Sequence, residues 1–96
     1  MAYEVLLAEQ PREFLATADD KTARIVKDKL RALADDPYPR PGSGVGDREK
    51  ITVDGRDVIR MHISRSSTAF YTVHENELVV RVREILPIDE AHKRYD

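Results

Sequence analysis

"REKITVDGRDVIRMHISRSSTAFYTV", residues 48–73, decides the fold. Asp54-Gly55 is a strong tight-turn pair between two β-prone runs. Arg65, Ser66 and Ser67 mark a second turn, and "TAFYTV" after it is a strand. Beyond residue 73, Glu75 and Asn76 turn the chain again. "ELVVRVREIL" then predicts the longest strand, closed by Pro87. Successive hairpins of this kind predict a four-stranded antiparallel meander. The last segment, "IDEAHKRYD", predicts a short C-terminal helix or tail.

The N-terminal half has a different period. "AYEVLLA" is β-prone, with Tyr3, Val5 and Leu7 on one side, and predicts a first strand. Pro11 stands where a first helical turn would start, and Phe14, Leu15 and Ala18 give a short amphipathic helix. Asp19 or Asp20 caps a second helix, in which Ala23, Val26, Leu30 and Leu33 recur near the 3.6-residue period. Pro37 ends that helix and pushes Asp36 out of the α region. "DPYPRPGSGVGD", with three prolines and three glycines, is a loop. The expected fold is α+β: an N-terminal strand, a two-helix hairpin, then the meander, with the helices on one face of the sheet.

Bulk properties bound the function. Ninety-six residues suggest a single domain, 1–96. Hydrophobic residues make up 41% and charged residues 35%, which suits a folded, soluble chain. No apolar run approaches the roughly 18 residues that span a bilayer. The first residues lack the pattern of a secretory signal, so a cytoplasmic location is expected, with no membrane partner. The absence of cysteine excludes a disulfide scaffold and thiolate zinc sites. Three histidines without ligand spacing predict no metal site, and no cofactor is expected. A net charge of −2 argues against a strongly basic nucleic-acid binder but allows a local basic patch.

Alternation locates such a patch. Ile59, Met61 and Ile63 should meet the helices, leaving Arg60, His62 and Ser64 on the other face. In the last strand Leu78, Val80, Val82 and Leu86 are the expected buried set, with Arg81 and Arg83 facing out beside Val79 and Ile85. Two neighbouring strands then show Arg60, His62, Arg81 and Arg83 on one surface, joined by Lys50 if the strand register agrees. Arginine forks there suit phosphate oxygens. A polar outer face is also the ordinary state of an antiparallel sheet. His92, Lys93 and Tyr95 in the C-terminal segment can reach the same face or belong to a charged, frayed terminus. His74, beside a turn, has no assigned role.

Over nearly its whole length the chain resembles the RelE/ParE superfamily of toxins from type II toxin–antitoxin systems. The resemblance rests on "YEVLLAEQPREFL", "IVKDKLRALADDPYPRPG", residues 48–73 as quoted above, and "LVVRVREILPIDEAHKRY", in that order and spacing. It implies a toxin that cuts messenger RNA on the ribosome, the ribose 2′-OH attacking the adjacent phosphate without a metal. It implies an antitoxin partner, with a homodimer or a toxin–antitoxin hetero-oligomer as the assembly. Arg60 and His62 match the basic pair of the family's third strand: Arg60 to stabilise the phosphate, His62 to stabilise it or move a proton. Tyr95 matches a C-terminal tyrosine that stacks on or orients a base, and His92 can stand in for a C-terminal histidine acting as acid or base. Lys50, Arg81, Arg83 and Lys93 would hold RNA phosphates. The chain departs from the pattern at Thr68, where an arginine is expected, and near Asp89, where another is. A gyrase-blocking toxin of the ParE type, or a weakened member acting mainly in an antitoxin complex, remains the alternative.

Overall fold

The computed structural model describes residues 3–38, 48–53, 55–64, 67–87 and 90. Strand β1 (Glu4–Leu7) leads into helices α1 (Glu9–Thr17) and α2 (Asp20–Asp35). Strands β2 (Arg48–Val53), β3 (Arg56–His62), β4 (Ser67–His74) and β5 (Val79–Pro87) follow. Of the two candidate caps, Asp19 is the one used: its carboxylate accepts the Thr22 N–H at 2.7 Å. Hydrogen bonds from the Thr22 side chain and backbone hold the Asp19 carboxyl below its ordinary range. At the other end of α2, Asp36 is extended (φ −153°, ψ 97°), as a residue before proline should be. No helix among the described residues is long and apolar enough to cross a membrane.

The expected meander is present: β2 pairs with β3, β3 with β4 and β4 with β5, all antiparallel. Strand β1 joins the free side of β5 in parallel, from Glu4 opposite Val79 to Leu7 opposite Val82. The sheet is therefore mixed, in the order β1-β5-β4-β3-β2. Where β1 stops, α1 continues its work. Gln10 Nε2 donates to the Ile85 carbonyl and Gln10 Oε1 accepts the Ile85 N–H, both at 2.7 Å. One side-chain amide thus satisfies a backbone donor and acceptor that no neighbouring strand reaches.

Val26, Leu30 and Leu33 of α2 pack on Ile59, Met61, Tyr71, Val80, Val82 and Ile85, with Phe14 and Leu15 of α1 against the same cluster. Each fully buried aliphatic side chain there contributes about 1.5–3 kcal/mol of transfer free energy. Tyr71 is fully buried, and its hydroxyl donates to the Pro37 carbonyl at 2.5 Å, which ties the exit of α2 to the sheet. Arg48 donates to the Asp36 carbonyl from the start of β2. The face away from the helices has a smaller apolar cluster of its own: Val58, Phe70 and Leu86, flanked by Ile51 and Val53.

Two expectations for β5 need correction. Leu78 does not belong to the strand; it lies in the preceding turn at φ 55°. Tyr71 pairs with Val82 but Phe70 pairs with Glu84, so Arg83 is the extra residue of a bulge. The alternation changes phase there. Ile85, expected outside, enters the helix-side core, and Leu86, expected inside, joins the second-face cluster. Strict alternation after Val82 would have driven the Glu84 carboxylate beneath the helices, where burying a charge is costly, and the bulge avoids this. The expected C-terminal helix or tail falls on residues 88–96, which lie outside the described residues except for Glu90.

Candidate functional site

The second face can be read row by row from the strand register. Arg60 of β3 stands opposite Phe70 of β4, and His62 stands opposite Thr68. Across β4, Phe70 is opposite Glu84, and Thr72 is opposite Arg81. Arg60, His62, Arg81 and Arg83 therefore do share one face. The strands that carry them are not neighbours, however. Strand β4 separates them, which sets the two basic pairs roughly 10 Å apart, or two inter-strand spacings. Between them lie Thr68, Phe70 and Thr72, all buried.

The two pairs differ in their surroundings. Arg60 is largely covered, its side chain 21% exposed, and donates to the carboxylate of Glu49 on β2. His62 is exposed. On β5, Arg81 and Arg83 are exposed, and Arg83 Nε donates to Thr72 Oγ1 at 3.3 Å. The same hydroxyl lies 3.1 Å from His74 Nε2. His74, which had no assigned role, thus belongs to this face. Strand parity carried the signal, since Phe70, Thr72 and His74 alternate with the core residues Ala69, Tyr71 and Val73. Proximity to a turn obscured it.

Lys50 does not join the group. It pairs with Ile59, so its side chain lies on the helix side of the sheet, 3.3 Å from Asp57. There it lines a separate hollow of about 190 Å³ with Tyr38, Ile59 and Val73. Thr68, in the position where the resemblance expects an arginine, is 1% exposed. His92, Lys93 and Tyr95 lie outside the described residues, as does Asp89.

Solved structures of this architecture include a chain of the archaeal RelE–RelB complex from Pyrococcus horikoshii OT3. It is 22% identical, with a TM-score of 0.73 over 91% of this chain and 96% of that one. The chain has the RelE-type fold. The isolated RelE toxin of E. coli shares that fold at 22% identity and a TM-score of 0.60, over 97% of this chain and 98% of its own. A YoeB/ParE toxin from Agrobacterium tumefaciens does so at 16% identity and a TM-score of 0.69, over 88% and 96%. No protein-family profile matches the sequence, and no curated protein matches it. In the RelE-type fold of this chain, the basic residues of β3 and β5 project from the side of the sheet that the helices leave uncovered.

A guanidinium and an imidazole two residues apart on one strand face stand roughly 7 Å from each other along the backbone. That spacing suits a group held by one and a proton moved by the other. Arg60 supplies a fixed charge and a planar fork of donors. The imidazole of His62 supplies a donor or an acceptor according to its protonation.

Proposed function

We propose that this protein is the toxin of a type II toxin–antitoxin pair and acts as a ribosome-dependent, metal-independent endoribonuclease on messenger RNA. The observation that carries the reading is the placement of Arg60 and His62 two residues apart on the face of β3 away from the helices. The shared fold with RelE and YoeB/ParE toxins supports the toxin role. An antitoxin that covers this face would be its partner in the cell, in a homodimer or hetero-oligomer.

In the reaction, a base removes the proton of a ribose 2′-OH. The 2′-oxygen bonds to the adjacent phosphorus, the bond to the 5′-oxygen breaks, and that oxygen takes a proton. The products are a 2′,3′-cyclic phosphate and a 5′-hydroxyl. Arg60 stabilises the charge that builds on the phosphate oxygens, a contribution of the preorganised electrostatic kind. His62 or His92 moves the protons. Tyr95 orients a base, and Arg81, Arg83 and Lys93 hold flanking phosphates.

The test is induction in cells with mapping of mRNA 5′ ends, run beside an assay of DNA supercoiling. Codon-phased cuts are expected. Arg60→Ala should reduce them about 100-fold or more with the fold intact. His92→Ala should reduce them as well. Undiminished cutting by the double variant would remove the proposed site. One observation favours the gyrase-blocking alternative: Glu49 holds Arg60, and Glu84 shares the face, which lowers its positive charge. Gyrase-linked DNA damage without mRNA cuts would establish that reading instead.

A further inference from the structure

We propose that Thr72, His74, Arg81 and Arg83 form a second anion site, distinct from the Arg60–His62 pair and built for a phosphate of bound RNA. Thr72 is 9% exposed, yet its hydroxyl is held from two sides, by Arg83 Nε at 3.3 Å and His74 Nε2 at 3.1 Å. Arg81 stands directly opposite Thr72 in the register. Arg81 and Arg83, two residues apart on β5, lie on one face with this hydroxyl, and the bulge changes the alternation only from Glu84 onward. Among the described residues no carboxylate pairs with Arg81, Arg83 or His74, whereas Arg60 is held by Glu49. Glu84 is the acidic residue that shares the face on β5, one row away opposite Phe70.

The donor set decides the ligand. The Arg83 guanidinium and the His74 imidazole meet at the Thr72 hydroxyl, and Arg81 stands opposite Thr72 in the strand register. In its Nε2–H form His74 donates to the Thr72 oxygen, which leaves the hydroxyl hydrogen to point outward. The result is an array of donors coming from several directions, which fits the oxygens of a tetrahedral phosphate better than a flat carboxylate. Fully buried Phe70 offers no stacking platform between the two basic groups, so the site would hold RNA by its backbone and not by its bases. Placing the phosphate on RNA rests on the nuclease reading; the anion site itself does not.

The experiment therefore has two arms. In the first, inorganic phosphate is added to purified protein while the His74 ring and Thr72 amide signals are followed by NMR. Saturable shifts are expected in the wild type and in Arg60→Gln, and not in the exposed-surface variant R81Q/R83Q. Absence of saturable shifts, or equal shifts in R81Q/R83Q, overturns the site. In the second arm, an uncleavable 2′-O-methyl single-stranded RNA is titrated at several salt concentrations. R81Q/R83Q should bind about tenfold or more weakly. The slope of log K against log salt should fall by about 1.4, two contacts at roughly 0.7 each. An unchanged slope, or binding of a polyglutamate peptide in place of RNA, overturns the RNA assignment. Phosphate uptake at His74 by a protein that cuts no mRNA keeps this site and removes the nuclease reading.

Discussion

At the scale of single residues, the two ends of the face away from the helices are in opposite electrostatic conditions. Glu49 occupies the guanidinium of Arg60, so any phosphate that binds there must compete with a carboxylate. Glu49→Gln removes that competitor. RNA affinity, measured by fluorescence anisotropy, should rise by less than about fivefold, because a pair with one exposed partner is worth under about 1 kcal/mol. Tyr71 is the structural counterpart. Its ring fills the core and its hydroxyl meets the Pro37 carbonyl. Tyr71→Phe keeps the ring and should cost about 1–2 kcal/mol in urea unfolding, because a covered carbonyl loses its donor.

Among the elements, the hairpin strands and the two helices were legible because their signals are local: Asp54-Gly55 for a turn, Pro37 for a helix end, and period-two alternation from Ile59 to Ser64. Alternation also placed Arg60 and His62 correctly on one face. It failed beyond Arg83, at Ile85 and Leu86, because a bulge breaks the strict period and no local residue announces it. The relation between β3 and β5 was misjudged for a different reason, since the meander order itself already puts β4 between them. Gln10 had no sequence signal at all. Its amide continues the hydrogen-bonding edge of β5 past the end of β1, joining residues 75 positions apart. Gln10→Ala leaves the N–H and the carbonyl of Ile85 without those partners. A loss of about 1–3 kcal/mol is expected by chemical denaturation, with amide exchange at Ile85 rising more than at Val80.

For the whole molecule, the contacts that complete the sheet are the most distant ones. Residues 4–7 pair with residues 79–82, and the core cluster draws on both helices and on β1, β3, β4 and β5. A chain lacking residues 1–8 should lose the cooperative unfolding transition seen by circular dichroism, because β5 loses its parallel neighbour and the helices lose Tyr3, Val5 and Leu7 beneath them. A sharp transition in that truncated chain would show that the meander and helices suffice alone. Such long-range closure also favours slow folding relative to helical bundles of the same size.

The parallel seam between the first strand and the last has a bearing on biosynthesis. Translation emits β1 about seventy residues before its mate. At roughly 5–20 residues per second the wait lasts several seconds. Throughout that interval the apolar side chains of Tyr3, Val5 and Leu7 lack the sheet against which they pack in the folded chain. Neither arginine of β5 exists until that wait is over, so the basic surface is completed only after both helices and the other four strands have been made.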